Sequence, residues 1–156
     1  MQKLSRPSIF ASRPIQMTVS IEGGSSCALC SQTAALVQDM MNAVTSLHRL
    51  HLKVTGIGSF AAHKGLDYDA FSEHADDLAE EFQGAEETIL EYPNTAPSEL
   101  NSVEEGCDFL CKLKDKITAL QGSMPHSEIV NLLDNAKSRS EEHTSELQSR
   151  LHLVCR

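Results

Sequence analysis

The chain has 156 residues, which is the length of a single domain. It contains no Trp, and aromatic residues make up only 4% of it, so its core must be largely aliphatic. The net charge of −9 argues against general DNA or RNA binding, because such binding depends on Lys and Arg side chains that displace phosphate counterions.

The first predicted helix follows an N-terminal stretch without periodicity. Residues 1–16 carry three basic residues and two prolines, and we expect a disordered or non-native extension rather than a basic DNA-binding arm. Residues 28–54 predict helix 1, because their apolar side chains recur at helical spacing. The apolar positions are Leu36, Val37, Met40, Met41, Val44, Leu47 and Leu50.

Helix 2 is predicted over residues 60–91 after a glycine-containing break, with Tyr92-Pro93 as its end. Its apolar stripe consists of Phe71, Ala75, Leu78 and Phe82. A Pro/Asn/Ser linker leads to helix 3, which is predicted over residues 102–121. After a turn, Ser127 is a candidate cap for helix 4, whose apolar positions begin with Ile129. Strand signals are nearly absent, so the sequence predicts an all-α fold. A longer connection after the second helix suits a four-helix bundle.

The C-terminal segment differs in character from the rest of the chain. Residues 139–149 resemble the translation of a common sequencing-adaptor oligonucleotide. We therefore interpret residues 139–156 as a non-native tail and residues 17–138 as the domain, with Met17 as a candidate natural start. Glu, Leu and Gln still favour a helix in the tail.

Neither a membrane segment nor a secretory signal is evident in the sequence. No apolar run approaches the ~20 residues of a membrane-spanning helix. The basic N-terminal residues lack the continuous apolar stretch of a signal peptide. We therefore expect a cytoplasmic protein with no membrane partner.

Acidic residues are concentrated in one part of the chain. Between Lys64 and Lys112 there is no Lys or Arg, whereas fourteen of the 22 Asp and Glu residues lie there. An uncompensated acidic block destabilises a folded domain through self-repulsion. A bound metal cation would relieve this repulsion, and a solvated acidic face is the alternative interpretation.

Histidines and carboxylates recur at helical spacing in helices 1 and 2. His51 continues the apolar stripe of helix 1, so we expect it to face a partner helix, either as a ligand or as a satisfied core residue. His63 and Asp67 are four residues apart, and Asp76 and Glu80 repeat that spacing. Imidazoles and carboxylates on facing helices can hold a first-row metal such as iron. Exposed helices also carry such pairs without any site.

These residues resemble a known family. The stretch HLKVTGIGSFAAHKGLDYDAFSEHADDLAEEFQG, residues 51–84, is similar to the ferroxidase segment of Dps-type miniferritins. In that family a His and a Gly-containing turn precede a Phe and a second His, and an Asp and a D-x-x-A-E pattern follow. The matching residues here are His51, Gly56, Phe60, His63, Asp67, Asp76, Ala79 and Glu80. Parts of the stretch also resemble uncharacterised ferritin-like proteins from phages and metagenomes.

The resemblance implies a ferritin-like four-helix subunit that assembles with its own copies into a hollow shell, usually a dodecamer. It implies a non-haem iron site shared between subunits, with His51, His63 and Asp67 from one chain and Asp76 and Glu80 from its neighbour. Fe(II) would be oxidised there by peroxide or dioxygen and stored as ferric mineral. The alternative is a non-enzymatic ferritin-like bundle with a structural or interaction role and a lost metal centre.

The spacing between the two Asp residues leaves the geometry of this site open. On one straight helix, nine residues turn Asp76 about 180° away from Asp67. Either helix 2 starts later, or a bulge absorbs the difference, or the site is not intact. On a straight helix His74 shares the stripe of His63 and Asp67 and is a substitute ligand.

Four cysteines outside the tail allow a third interpretation. Cys27 and Cys30 form a C-x-x-C before helix 1, and Cys107 and Cys111 are four residues apart on helix 3. If all four converged, they would form a tetrahedral zinc site or a redox module. The alternative is a set of buried, unreactive thiols, and a reducing cytoplasm fits both interpretations.

Overall fold

The computed structural model describes residues 28–53 and 68–154, and these residues form four helices. The helices are α1 (Ala28–Lys53), α2 (Ala70–Glu86), α3 (Val103–Ser123) and α4 (Ser127–Val154). These two ranges contain no β-strand, which confirms the predicted all-α fold. None of the four helices is long and apolar enough to cross a membrane.

Contacts between α1 and α3 show that these helices are antiparallel. Gly106 near the start of α3 lies against Leu50 near the end of α1. Further along α3, the Lys116 ammonium pairs with the Asp39 carboxylate in the first half of α1. The two contacts therefore occur in opposite order along the two helices.

α2 packs on another side of α1 and runs antiparallel to it. Just before the start of α2, Tyr68 stacks on His48 near the end of α1. The end of α2 meets the start of α4, where the Glu86 Oε1 and His126 Nε2 atoms lie 2.6 Å apart. α4 packs against α2 and α3, so it lies diagonally across the bundle from α1.

A long segment, residues 87–102, connects α2 to α3 along the outside of α1; we call it the crossover. The Asn42 amide of α1 donates hydrogen bonds to the carbonyl and hydroxyl oxygens of Thr95, at 3.1 and 3.0 Å. Further along α1, Arg49 and Lys53 donate to the Glu99 carboxylate. The crossover thus returns the chain to the opposite end of the bundle, and α2 and α3 are parallel. One long crossover is also the connectivity of ferritin-like bundles.

The predicted end of the second helix is wrong, because α2 ends at Glu86 rather than Glu91. Glu87 takes left-handed backbone angles (φ 47°, ψ 40°), and its N–H donates to the Gln83 carbonyl. The Gln83 Oε1 atom accepts a hydrogen bond from the Leu90 N–H at 2.9 Å. The resulting turn buries Leu90 in the core, which offsets the lost helical turn.

The start of α2 bears on the alternatives that the nine-residue Asp spacing left open. Tyr68 and Asp69 form a turn, and α2 begins after them at Ala70. The predicted bounds of helix 2, residues 60–91, therefore differ from those of α2, which starts at Ala70 within the described residues. Residues 54–67, which include the predicted break, lie outside the described ranges. An angle of about 180° between Asp67 and Asp76 is expected only on one straight helix.

One apolar core runs along the axis of the bundle. The predicted stripe of α1 contributes to it apart from Met41, which is 49% exposed. All four stripe residues of α2 are buried, and Phe71 and Phe82 are the largest fully buried side chains in the described ranges. α4 continues through residues 139–154, where Ser140 is buried and its hydroxyl donates to a backbone carbonyl of its own helix.

Candidate functional site

Three aromatic rings lie together where α1 ends and α2 begins, and we call this group the histidine end. It consists of His48, His51 and Tyr68. The rings of His48 and Tyr68 are stacked, with centroids 5.2 Å apart and planes 25° apart. The His48 and His51 ring centroids are 6.3 Å apart. Burial, and then the charge of Asp69, raise the pKa of Tyr68.

The helical period explains how the two histidines differ. His51 lies on the interior stripe of α1 and is half-buried, whereas His48 is exposed on the flank that meets Tyr68. The expected inward orientation of His51 is therefore observed. Sequence reasoning missed Tyr68, because it lies in the turn before α2 and belongs to no helical stripe.

Asp76 and Glu80 lie on the solvent-facing side of α2 and are exposed. Counting from Tyr68 at 1.5 Å per residue, they are about 12 and 18 Å further along the bundle, and His51 lies beyond His48 in the other direction. Two ligands of one metal ion lie within about 4–5 Å of each other. A single chain therefore does not bring His51 together with Asp76 or Glu80.

His63 and Asp67, the other two predicted ligands, lie outside the described ranges. Within residues 28–53 and 68–154, no group of three or more His, Cys, Asp or Glu side chains is placed to hold a metal ion. If the predicted five-ligand set forms a site, a second copy of the chain must supply part of it. This is the arrangement that the family resemblance implies.

His74, the predicted substitute ligand, lies in the second turn of α2 and not at the histidine end. Its ring is half-buried, and its Nε2 atom is buried with no hydrogen-bond partner among the described residues. Burial lowers the pKa of His74, and Arg139 of α4 adds to this, whereas Asp77 and Glu73 oppose it. The distance from Tyr68 along α2 is about 9 Å, so His74 does not join His51.

The solvent-facing side of α2 forms a continuous acidic surface, which we call the acidic face. It consists of the exposed residues Asp69, Glu73, Asp76, Asp77, Glu80 and Glu81. Among the described residues, none forms an ion pair with any of these six carboxylates. Glu86 and Glu99, from the same acidic block, are paired with His126 and with Arg49 and Lys53. Among the described residues, the other unpaired carboxylates of the block are divided between the crossover and α3, so the acidic face is the largest group of unpaired acidic residues on one element.

The convergence of all four cysteines, which the zinc or redox interpretation requires, does not occur within one chain. Cys107 follows Gly106, which lies against Leu50, whereas Cys30 is twenty residues earlier on α1. This places Cys30 and Cys107 about 30 Å apart along the bundle. Cys27 lies outside the described ranges. Burial raises the pKa of the Cys107 thiol, and the charges of Cys111, Asp108 and Glu104 add to this.

Comparisons with known proteins extend to the fold alone. No family model matches the chain, and no curated protein matches it. Among solved structures, the hypothetical protein Pfu-1136390-001 from Pyrococcus furiosus is similar, with a TM-score of 0.62 at 12% sequence identity. The match covers 86% of this chain and 94% of that one. It supports the four-helix arrangement of the whole described domain.

Proposed function

We propose that this protein is a ferritin-like, cytoplasmic iron protein that oxidises Fe(II) with peroxide or dioxygen and stores the ferric product. The observation that carries the proposal is the unpaired acidic face of α2, displayed on a bundle with one long crossover. Carboxylates and imidazoles are suitable ligands for iron. The resemblance of residues 51–84 to the miniferritin segment supports the same assignment.

The ligands in this proposal come from two copies of the chain. His51, His63 and Asp67 of one subunit bind Fe(II) together with Asp76 and Glu80 of its neighbour. The exposure of Asp76 and Glu80, and their separation from His51 within one chain, support a shared site. Hydrogen peroxide takes one electron from each of two Fe(II) ions and leaves two Fe(III) ions and two hydroxides.

The acidic face has a second role in this proposal. Its six carboxylates attract Fe(II) electrostatically and raise the local cation concentration near the shared site. In a closed shell, carboxylates that face the cavity also bind Fe(III) and start mineral growth. Assembly as a homo-oligomer, with a dodecamer as the expected form, is therefore part of the function.

Native mass and iron oxidation together test the proposal. We expect an oligomer, and we expect peroxide-dependent Fe(II) oxidation that is faster than in buffer. His51→Ala and Glu80→Gln should each slow it about tenfold or more, since loss of even an outer-shell partner costs 10- to 100-fold in metal sites. His126→Ala, at the opposite end of the bundle, is the matched control and should keep the wild-type rate.

Mixing two inactive variants tests whether the site is shared. If ligands come from two chains, co-assembly of His51→Ala with Glu80→Gln subunits creates some intact sites and restores part of the oxidation rate. A site within one chain gives no such recovery. A monomer that oxidises iron no faster than buffer would overturn the proposal.

The second candidate is a non-enzymatic helical bundle with a structural or interaction role. The lack of a three-ligand group within residues 28–53 and 68–154 favours it. In this case the acidic face is only a solvated surface. The protein would then oxidise Fe(II) no faster than buffer does, and the His51→Ala variant would behave like the His126→Ala control.

A further inference from the structure

Cys107 and Cys111 form a thiol pair to which the proposed iron function assigns no role. They lie four residues apart in the first half of α3. Cys107 is buried, Cys111 is half-buried, and neither is in a disulfide. The four-residue spacing places both thiols on the same face of α3, one helical turn apart.

The helix gives this pair a spacing that suits a bridging metal ion better than a disulfide. On a helix, Cβ atoms four residues apart are about 5–6 Å from each other. A disulfide needs its Cβ atoms about 3.5–4.5 Å apart. Two metal–sulfur bonds of about 2.3 Å hold their sulfurs up to about 4.6 Å apart. Side chains that lean towards each other from helical positions can reach this separation.

The surroundings of the pair indicate which ion it suits. The described part of the chain places no third His, Cys, Asp or Glu ligand beside the two thiols. Structural Zn(II) sites take four ligands, whereas the soft Cu(I) ion prefers thiolates and is stable with two of them. The nearby carboxylates of Glu104 and Asp108 add negative charge, which favours a cation.

We propose that Cys107 and Cys111 bind Cu(I) as a two-thiolate site on α3. Each thiol gives its proton to solvent as its sulfur binds the ion, so one Cu(I) replaces two protons and no electron is transferred. The half-buried Cys111 provides the route of entry. The site does not rest on the proposed iron function, whose ligands lie outside α3.

Anaerobic titration of the full, reduced chain with Cu(I), in competition with a chromophoric Cu(I) chelator, tests the proposal. A background variant with Cys27→Ser, Cys30→Ser and Cys155→Ser retains only the α3 pair. We expect it to bind one Cu(I) per chain with two sulfur ligands in X-ray absorption spectra. Adding Cys111→Ser should weaken binding by more than about 100-fold, because a ligand contributes more than the outer-shell partners whose loss costs 10- to 100-fold.

The Cys111→Ser variant decides the outcome, because Cys111 is only half-buried and its replacement leaves the core in place. Circular dichroism should show the same helix content before and after the substitution. The proposal is overturned if the background variant binds no Cu(I), or if Cys111→Ser leaves the affinity unchanged. Tighter binding of Zn(II) than Cu(I) by the background variant would also overturn it.

Discussion

Among single residues, His74 links the stability of the bundle to pH. Burial lowers its pKa below the usual 6.5; Asp77 and Glu73 partly oppose this, and Arg139 reinforces it. As pH falls, the His74 ring therefore takes up a proton at a higher pH in the unfolded chain than in the folded chain. The contribution of the neutral His74 ring to the free energy of unfolding is fully present above pH 6.5. It is lost as pH falls through the lowered pKa that His74 has in the folded protein.

Replacing His74 should remove this part of the pH dependence. We expect His74→Gln to lose less stability than the wild type between about pH 7.5 and about pH 5.5, because Gln does not titrate. Urea unfolding at the two pH values measures the difference. Equal losses of stability in the two proteins would show that protonation of His74 does not destabilise the fold.

Gly106 shows how one missing Cβ controls the approach of two helices. A Cβ at this position would lie 2.7 Å from the Cδ2 atom of Leu50, which is itself buried in the core. Gly106→Ala gains about 1 kcal/mol of helix propensity. Overpacking the core costs about 1–3 kcal/mol, so we expect net destabilisation of up to about 2 kcal/mol.

Two other glycines provide matched controls for this substitution. Gly84 on α2 and Gly122 on α3 have open space where a Cβ would be added. Gly84→Ala and Gly122→Ala should therefore stabilise the protein by about 0.5–1 kcal/mol in urea unfolding. Shortening the opposing side chain with Leu50→Val should reduce the cost of Gly106→Ala. If all three Gly→Ala variants change the free energy of unfolding alike, the close contact with Leu50 does not affect stability.

At the level of elements and their connections, the crossover determines the topology of the bundle. Hydrogen bonds from single side chains of α1 hold it in place. Asn42 donates two hydrogen bonds to Thr95, and Gln38 donates one to Asn42. We expect Asn42→Ala to speed amide hydrogen exchange in residues 87–102 while the four helices exchange as before, because most of the helical contacts remain. Thr45→Ala, also on α1, is the control. Faster exchange throughout α1 would contradict this local role.

The N-terminus of α3 fixes the point where the crossover ends. The Ser102 hydroxyl accepts a hydrogen bond from the Glu105 N–H, and the Glu105 carboxylate accepts one from the Asn101 N–H. Ser102→Ala should cost about 1 kcal/mol in urea unfolding, the usual effect of losing an N-cap. Ser98→Ala, in the exposed part of the crossover, should cost less than half of that. Similar losses in the two variants would show that the cap does not stabilise α3.

The sequence was most informative where structure depends on local periodicity. The described α1, Ala28–Lys53, agrees with the helix predicted over residues 28–54, because its apolar period is a local signal. The end of α2 was not predictable in this way, since it depends on Leu90 reaching the core. The stacking of Tyr68 on His48 likewise depends on how α2 docks against α1. The periodicity of one chain also carries no information about a metal site that a second copy of the chain completes.

At the scale of the whole molecule, the uneven charge is the main electrostatic feature. The chain carries a net charge of −9, and α2 contains no Lys or Arg. Like charges at helical spacing destabilise a helix by about 0.2–0.5 kcal/mol per pair. Asp76 and Glu80 form such a pair. The fold therefore bears a repulsive cost on α2 that a cation, an assembly partner or added salt would reduce.

This repulsion predicts that salt stabilises the protein. The Debye length shortens from about 30 Å at 0.01 M salt to about 10 Å at 0.1 M, so the free energy of unfolding should rise over this range. Asp76→Asn combined with Glu80→Gln should stabilise the protein at low salt by about 0.5–1 kcal/mol, because several like-charge pairs are removed. The same variant should respond less to added salt. Urea unfolding at the two salt concentrations measures both effects.

A control that removes two charges elsewhere separates the acidic face from net charge alone. Asp115 lies three residues after Lys112 on α3, and Glu128 lies in the first turn of α4, so both carboxylates occupy favourable surroundings. Asp115→Asn with Glu128→Gln removes the same two negative charges from the total of −9 and should not stabilise the protein. If both double variants gain stability equally, the repulsion belongs to the whole surface. If only the α2 variant gains stability, the repulsion is local to the helix that carries the proposed iron ligands Asp76 and Glu80. Bound Fe(II) should then remove this repulsion, whereas Na⁺ only screens it.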